Sequence, residues 1–395
     1  MKKPILLAII ASALFASCQK NEAPSPTGSK NVPGGIKSKN LATIAADVYV
    51  AGDYQLQPVA GVPQFAVAYW KNGTAVTLPS TVGNGTSHAQ AISVSGTDVY
   101  VVGYDQGTNI SATVPTTSGL PCIWKNGVEQ QLPIPVGGFT GEATAIAISG
   151  TDVYVAGFFV TNDATQSRRA VMWKNGVATM IAFNKFDSIA TGIALDGTDV
   201  YISGNAVFSN ITCAVYWKNN AWHPFAGTTA ISRASAIVVD ALHNYYISGA
   251  SNGEACYWKD GNIKLLTTND YAAPITAQNE LWYPNSIAVS NNNVYVSGVN
   301  IPTGPVNPPD PDDPNPGLQV QAVYWKNGQE VSVSGQSEHG GPSSIAVIAD
   351  QAYTAGTFNS GTSPFYTINQ NVTSINNPGI PFGVFTIRGI AVVQH

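Results

Sequence analysis

The sequence predicts an all-β fold, a single seven-bladed β-propeller built from four-stranded antiparallel blades of about 50 residues each. Three observations predict it. A phrase of the form VYVxG occurs seven times, a phrase of the form YWKNG recurs between its copies, and no segment has a sustained helical period. β-branched and aromatic residues at alternating positions are typical of strands.

The VYVxG phrase predicts the second strand of each blade. Its copies are DVYVAG at 47–52, DVYVVG at 98–103, DVYVAG at 152–157, DVYISG at 199–204, NYYISG at 244–249, NVYVSG at 293–298 and QAYTAG at 351–356. Every copy keeps Tyr at the third place and Gly at the sixth. Apolar phrases of the xIAV kind, which predict the first strands, begin at 91, 145, 192, 236, 286 and 344.

The YWKNG phrase predicts the third strand and the hairpin to the fourth. It reads AVAYWKNG at 66–73, AVYWKNN at 214–220 and AVYWKNG at 322–328. Asn-Gly is a strong signal for a two-residue hairpin turn, and the SGTD phrase before the second strand predicts another primed turn. We expect the repeated Trp to pack between neighbouring blades.

The end of the chain predicts how the ring closes. The last residues, GIAVVQH, repeat the first-strand phrase, whereas the N-terminal copy at 40–50 is degenerate, with Thr43 in place of an apolar residue. We therefore expect residues 389–393 to complete the first blade, and residues 40–395 to form the propeller.

The N-terminal segment predicts export. Lys2 and Lys3 precede a short apolar run that ends in LFASC, so residues 1–17 read as a signal peptide. LFASC resembles a bacterial lipobox, which implies lipidation of Cys18; the alternative is an ordinary signal peptide with an incidental Cys. Residues 18–39, rich in Pro, Gly and Ser, then form a flexible tether.

Two resemblances indicate where in the cell the protein is located. The stretch QKNEA after Cys18 resembles the export tag of surface lipoproteins of Bacteroidota. Through its VYVxG and YWKNG phrases, the stretch 40–395 resembles the repeat-type β-propeller lipoproteins of the same group. These resemblances imply an outer-membrane, lipid-anchored protein at the cell surface, and they imply little about chemistry because propellers carry many functions.

Composition and motifs exclude several classes of function. Loss of Lys2 and Lys3 leaves 16 of the 18 basic residues against 23 acidic ones, so the net charge moves from −5 to −7, and nucleic acid is not expected as a partner. The remaining cysteines, Cys122, Cys213 and Cys256, have apolar neighbours and read as buried small side chains. No HExxH, GxSxG, P-loop or CxxC motif occurs, and no cofactor or metal is predicted.

The strand order sorts the loops onto two faces. The SGTD and KNG turns share one face, here called the short-turn face, and the longer connections share the opposite one, the long-loop face. Loops of varied length on a rigid scaffold are where binding usually resides. Two places before each first-strand Ile, the chain has Gln90, Thr144, Thr191, Ser235, Asn285, Ser343 and Arg388; four places before, it has His88, Glu142, Ile189, Arg233, Tyr283, Gly341 and Thr386. We expect both sets to rim the central channel, where they either contact a ligand or solvate the mouth.

The candidate ligand-binding residues are His88, Gln90, Glu142, Arg233, Trp282, Tyr283, Asn285 and Arg388. Trp282 and Tyr283 lie beside Asn285 in the long connection NELWYPN, and aromatic faces beside an amide suit a sugar ring or a protein hot spot. The alternative is a loop that turns its own aromatic residues inward. A lone His in a long-loop connection, such as His88, is more often solvated than catalytic.

The other charged groups are predicted to be solvated or paired at the surface rather than to bind a ligand. The insertion NPPDPDDPNPG at 307–317 lacks the spacing of a calcium loop and reads as an extended spacer. The lysines of the KNG turns, such as Lys71, could meet anionic lipid or polysaccharide, but aspartates at the start of the second strands offset them. Glu142 has no carboxylate partner predicted near the mouth, with Asp187 the nearest in kind, so a two-carboxylate glycosidase is not predicted.

Three hypotheses about function follow. The leading one is a lipid-anchored binding module that holds a glycan or a protein at the long-loop face. The rival is a polysaccharide hydrolase or lyase that uses Glu142, His88 and Arg233 at the channel mouth. The third is a structural surface protein with no small ligand.

Overall fold

Alternating β-branched and aromatic residues form the strands of a seven-bladed propeller, as predicted. The computed structural model describes residues 45–59, 62–81, 86–106, 119–181, 187–225, 231–266, 284–300, 321–333, 340–358, 361–375 and 383–395. Within them the chain forms seven sheets of four antiparallel strands each. These residues contain no helix long and apolar enough to cross a bilayer.

Each blade runs from an inner strand at the channel to an outer strand at the rim. The inner strands of blades 2 to 7, followed by that of blade 1, are β4 (Ser87–Ser95), β8 (Gly138–Ser149), β12 (Ser188–Asp196), β16 (Ser232–Val239), β20 (Ser286–Ser290), β24 (Gly341–Ile348) and β28 (Phe385–Gln394). The second strands of blades 1 to 7 are β1 (Ala46–Val59), β5 (Asp98–Asp105), β9 (Asp152–Thr161), β13 (Asp199–Phe208), β17 (Tyr245–Ser251), β21 (Asn293–Asn300) and β25 (Gln351–Phe358).

The third strands carry the repeated Trp, and the outer strands are short. The third strands are β2 (Val62–Lys71), β6 (Leu120–Lys125), β10 (Arg168–Lys174), β14 (Ile211–Lys218), β18 (Glu254–Lys259), β22 (Gln321–Lys326) and β26 (Ser363–Ile368). The outer strands are β3 (Thr74–Thr77), β7 (Val128–Gln131), β11 (Val177–Met180), β15 (Ala221–Pro224), β19 (Asn262–Leu265), β23 (Gln329–Ser332) and β27 (Asn371–Ser374). Each inner strand contacts the inner strands of both neighbouring blades, so the ring is closed.

The C-terminal strand closes the ring, as predicted, and it is longer than the predicted 389–393. Strand β28 pairs with β1 from Tyr54 opposite Phe385 to Ala46 opposite Gln394. Its side chains Phe385 and Ile387 are buried in the cluster between blades 1 and 7. The first blade is therefore built from both ends of the propeller sequence.

The repeated Trp packs between blades, which confirms its predicted structural role. Trp124 is 1% exposed and lies in a cluster with residues of blade 1. Its indole Nε1 donates a hydrogen bond to Pro79 O at the exit of that blade, over 2.7 Å. Blade 7 has Thr367 at this place, and its hydroxyl lies 2.7 Å from that of Thr354. Trp222 lies half-buried on outer strand β15 against Phe208, as expected for outer-edge packing.

The two turn types match their sequence signals. In the KNG turn of blade 1, Asn72 and Gly73 both have positive φ, 50° and 82°, as a type I′ turn requires. In the SGTD turn of blade 2, Gly96 has φ 59° between the paired residues Ser95 and Asp98, as in a type II′ turn.

Hydrogen bonds explain why the phrases DVY and KNG occur together. In blade 1, Lys71 Nζ lies 2.7 Å from Asp47 Oδ2 and 5.3 Å from the centre of the Tyr49 ring. Asn72 Oδ1 accepts a hydrogen bond from Val48 N, and its Nδ2 donates to Asp47 Oδ1. The pairs Lys125–Asp98, Lys174–Asp152 and Lys218–Asp199 repeat the arrangement. These lysines are therefore neutralised by aspartates, as the sequence indicated.

The Asp47 cluster predicts an acid-dependent loss of stability. Hydrogen bonds from Lys71 and Asn72 lower the pKa of the Asp47 carboxyl from 3.8 to about 2, and His395 adds to the effect. Because the folded-state pKa is depressed, the carboxylate stabilises the fold above its ordinary pKa and loses that contribution as pH falls through this interval. Urea denaturation should give Asp47→Asn a lower free energy of unfolding than the wild type at neutral pH. Near pH 2, the lower end of the interval, the two proteins should have the same free energy of unfolding. An unchanged difference across that interval would contradict this prediction.

The three cysteines of the propeller are buried, as the sequence indicated, and all three are free thiols in the structure. Burial raises the pKa of each thiol, most strongly at Cys122, so the groups are poor nucleophiles. Cys122 and Cys256 pack as small apolar side chains in clusters between two blades.

Candidate functional site

The polar residues predicted to rim the channel occupy β-bulges in the inner strands. In each of six inner strands the pairing register shifts at this level, where one extra residue has no partner on the second strand; β8 has a further shift near its start, between Gly138 and Thr140. The extra residues are Gln90, Thr144, Thr191, Ser235, Ser343 and Arg388. Asn285 lies immediately before β20. A bulge re-aims its side chains, which explains why the sequence departs from alternation at this level.

The repeated Gly of VYVxG permits these bulges. A Cβ at Gly103 would lie 1.9 Å from His88 O, and one at Gly157 would lie 2.0 Å from Glu142 O. Real side chains never come so close to backbone. The Gly therefore lets the inner strand bulge toward the second strand, and it fixes the backbone of the residues at the channel mouth.

Some side chains at the rim positions join neighbouring blades instead of facing a ligand. Thr144 Oγ1 lies 3.0 Å from Ala156 O in its own blade and 2.8 Å from Ala190 O in the next, and either carbonyl accepts its proton. Asn285 Nδ2 donates to Pro342 O of blade 7 over 3.1 Å. For these positions, a structural contact accounts for the polar side chain.

A buried carboxylate orients His88. Asp53 is 1% exposed, and its Oδ2 lies 3.1 Å from His88 Nδ1. The imidazole lies between two aromatic rings, with centroids 5.1 Å from Phe65 and 5.0 Å from Tyr104. The His88 side chain keeps 21% exposure. With Nδ1 directed at Asp53, Nε2 is the ring nitrogen left for a ligand.

Further polar groups surround this histidine. Gln90 Nε2 lies 3.5 Å from Glu142 Oε2 of blade 3. Burial raises the pKa of the Tyr104 phenol, the carboxylates Glu142 and Asp53 raise it further, and Arg388 lowers it. Tyr104 is therefore close enough to all three charged groups to sense them, and it keeps its proton at neutral pH.

These residues bring blades 1, 2 and 3 together at the long-loop end of their strands. We call the group the mouth cluster, and its members are Asp53, Phe65, His88, Gln90, Tyr104, Glu142 and Arg388. Arg388 is exposed, whereas Gln90 and Glu142 are half-buried. The cluster combines an oriented imidazole, aromatic rings, an amide, a carboxylate and a cation.

The structure corrects the expected setting of His88. It lies within strand β4, not in a loop, and its contacts hold it in one orientation. Asp187, the acidic residue nearest in kind to a partner for Glu142, instead forms an ion pair with Arg168, the first residue of β10, at 3.1 Å.

Three members of the mouth cluster were not predicted from the sequence, namely Asp53, Phe65 and Tyr104. A signal for two of them exists, because the residue after each repeated Gly differs between blades. It is Asp53, Tyr104, Phe158, Asn205, Ala250, Val299 and Thr357 in turn. Phe65 has no comparable signal.

The other candidate residues lie apart from the cluster or outside the described residues. Arg233 is half-buried on β16 of blade 5, two blades away from Glu142. Trp282 and Tyr283 lie outside the described residues, as do Cys18 and the 307–317 insertion. Their predicted roles stay predictions.

A second polar group lies between blades 1 and 2. Asp105 is fully buried and accepts a hydrogen bond from the Ser80 hydroxyl. Glu129 accepts one from Thr81 N over 2.6 Å. Burial raises the pKa of Glu129, and Asp105 adds to the rise. These contacts hold the exit of blade 1 against blade 2, so we assign them to the scaffold.

Comparison with known proteins gives likenesses in structure alone. No protein-family model matches the chain, and no curated protein is similar to it in sequence. Among solved structures, a chain of a nidogen/laminin complex matches at 11% identity with a TM-score of 0.39, covering 89% of this chain and 99% of that one. Apo AztD from Citrobacter koseri matches at 11% identity and 0.39, covering 88% and 99%. Virginiamycin B lyase from Staphylococcus aureus matches at 12% and 0.35, covering 88% and 100%. At these values the matches carry no argument about what the chain binds or does.

Proposed function

We propose that this protein is a lipid-anchored binding module of the cell surface that holds a glycan at the mouth cluster. The LFASC stretch with Cys18, and the QKNEA stretch that follows it, support the lipid anchor. The side chains of the cluster support a glycan as the ligand.

The observation that carries the proposal is the fixed orientation of His88. A side chain that only solvates the channel needs no buried carboxylate and no pair of flanking rings. Asp53, at 1% exposure, is costly to bury, and its placement beneath a partly exposed imidazole gives a rigid polar surface. Rigid polar groups on a scaffold bind at a low entropic cost.

The chemistry of the cluster suits a sugar. A glycan presents hydroxyl groups, which pair with amides and carboxylates, and apolar C–H faces, which pack on aromatic rings. Gln90 and Glu142 supply the first, and the rings around His88 supply the second. A flat protein partner would not require its contacts to be confined to a cluster on three adjacent blades.

Affinity for a glycan tests the proposal, and Arg388 is the residue to change. Residues 19–395 are first screened by thermal shift against oligosaccharides and polysaccharides. Because Arg388 is exposed, Arg388→Ala should leave the melting temperature unchanged and weaken binding about tenfold or more, as expected for one charged hydrogen bond.

Lys125→Ala provides the control, since Lys125 is a cation of similar exposure on the short-turn face. It should bind as the wild type does. A cooperative melt with no shift from any glycan would overturn the glycan proposal and favour a protein partner. Equal losses in both variants would indicate a nonspecific charge effect and overturn the placement at the mouth cluster.

A further inference from the structure

The mouth cluster also contains an oriented base. Asp53 Oδ2 accepts the Nδ1 proton of His88, which leaves the lone pair on Nε2. A buried carboxylate in this position fixes the tautomer and the orientation of the ring. The arrangement that makes His88 a rigid contact for a ligand therefore also makes Nε2 an oriented base.

The acid that would complement this base is also present. The Tyr104 ring lies 5.0 Å from the imidazole, centre to centre. Tyr104 is 8% exposed, and burial and the nearby carboxylates raise the pKa of its phenol, so the phenol is protonated at neutral pH. Arg388, which senses the same phenol, is an exposed cation that can pair with a carboxylate of a ligand.

These three groups match an elimination better than a hydrolysis. Glycoside hydrolysis requires two carboxyl groups that both reach the scissile bond. Within the mouth cluster, the buried Asp53 carboxylate is engaged by His88, which leaves the half-buried Glu142 as the other carboxylate of the cluster. Elimination requires a base, an acid and a group that neutralises the substrate carboxylate.

We infer that the mouth cluster cleaves uronate-containing polysaccharides by β-elimination, with His88 as the base, Tyr104 as the acid and Arg388 as the partner of the substrate carboxylate. The inference rests on the proposed glycan site and adds the substrate class and the reaction. Asp53 is a positioning residue, because it acts through His88.

The step balances without a further reactant. His88 Nε2 takes the proton from the carbon that bears the uronate carboxylate. The electrons of that C–H bond form a carbon–carbon double bond to the neighbouring carbon, and the bond from that carbon to the glycosidic oxygen breaks. The leaving oxygen takes the phenolic proton of Tyr104. The imidazolium then returns a proton to the phenolate through water, so that enzyme groups are regenerated and no oxidant is needed.

The test uses residues 19–395 with polygalacturonate and alginate as uronate probes and dextran as a neutral probe. Binding is followed by thermal shift, and cleavage by the ultraviolet absorbance of the unsaturated uronate. We expect at least one uronate probe to be cleaved. His88→Gln and Tyr104→Phe should lose about a hundredfold or more of kcat while the probe still binds. Asp53→Asn should lower kcat by up to about ten-thousandfold with KM unchanged, because the amide no longer holds the imidazole in the tautomer with its lone pair on Nε2.

The chain offers a matched control in a second His–Asp pair. His243 Nδ1 lies 2.7 Å from Asp196 Oδ1 at the short-turn face, and its side chain is 75% exposed. His243→Gln should cleave as the wild type does. A variant of Asp53 that melts early and changes KM and kcat together would show a merely structural role and overturn its assignment.

The outcomes separate this inference from the proposed function. A uronate probe that binds without forming unsaturated product overturns the elimination and leaves the glycan site standing. Binding of dextran without either uronate probe overturns the substrate class alone. Cleavage that persists in His88→Gln overturns the assignment of the base. Absence of binding to every glycan overturns both proposals.

Discussion

Removal of strand β28, by ending the chain at Val384, should abolish the cooperative thermal unfolding of the propeller. The deletion removes Phe385, Ile387 and Ile390, which are 3%, 3% and 8% exposed. At about 1.5–3 kcal/mol for each buried side chain, the loss is about 5–9 kcal/mol. That loss is of the order of the whole stability of a domain, about 5–15 kcal/mol. It also leaves the backbone of β1 without its partner from Ala46 to Tyr54.

The measurement is a thermal melt followed by circular dichroism, together with binding of a hydrophobic dye. Removal of His395 alone serves as the control, because this residue lies beyond β28 and its removal costs only exposed contacts with Asp47 and Ala45. That variant should melt close to the wild type. If the chain ending at Val384 melted within a few degrees of the full chain, ring closure by β28 would not stabilise the fold.

Gly157→Ala should destabilise the fold and weaken ligand binding together. The new methyl group would lie 2.0 Å from Glu142 O and 3.1 Å from Ala143 Cα, both backbone atoms that cannot swing aside. Overpacking of this kind costs about 1–3 kcal/mol or more. Relief of the clash requires a shift of β8, which carries Glu142 into the mouth cluster, so the affinity for the glycan should fall as well.

Gly383→Ala is the matched control, because a methyl group there meets no atom within 4 Å. Urea denaturation gives the free energies of unfolding, and titration calorimetry gives the affinities. Equal stabilities of the two variants would contradict the proposed role of the repeated Gly. Lower stability with unchanged affinity would show that the scaffold Gly does not position the site.

The scaffold could be predicted from the sequence because its information is local and repeated. The blades repeat the same kinds of strand and turn phrase, so a degenerate copy in one blade can be interpreted by comparison with the others. Asn72 and Gly73 alone specify a hairpin turn through their positive φ angles. The final GIAVV stretch predicted closure because it duplicates an inner strand that the N-terminal copy lacks.

The mouth cluster was only half predictable because its contacts cross between blades. His88 and Glu142 lie four places before the first-strand Ile, and Gln90 and Arg388 lie two places before it, so the sequence shows all four. The pairing of Asp53 with His88 depends on how blade 1 packs on blade 2, and a period within the repeat does not encode it.

Asn285 shows that a polar residue at a rim position need not contact a ligand. It shares the rim position with Arg388, yet its amide donates to Pro342 O and joins blades 6 and 7. Polar residues at one position of a repeat thus divide between scaffold contacts and exposed groups. Their division follows from bulge geometry and from the carbonyl oxygens within reach, neither of which the sequence displays.

A structure of residues 19–395 with a bound oligosaccharide from the thermal-shift screen tests the central claim most directly. We predict that the sugar lies at the long-loop mouth of blades 1 to 3, within hydrogen-bond distance of His88 Nε2 and Arg388. A sugar bound at the short-turn face or along the outer strands, with the mouth cluster untouched, would contradict the account.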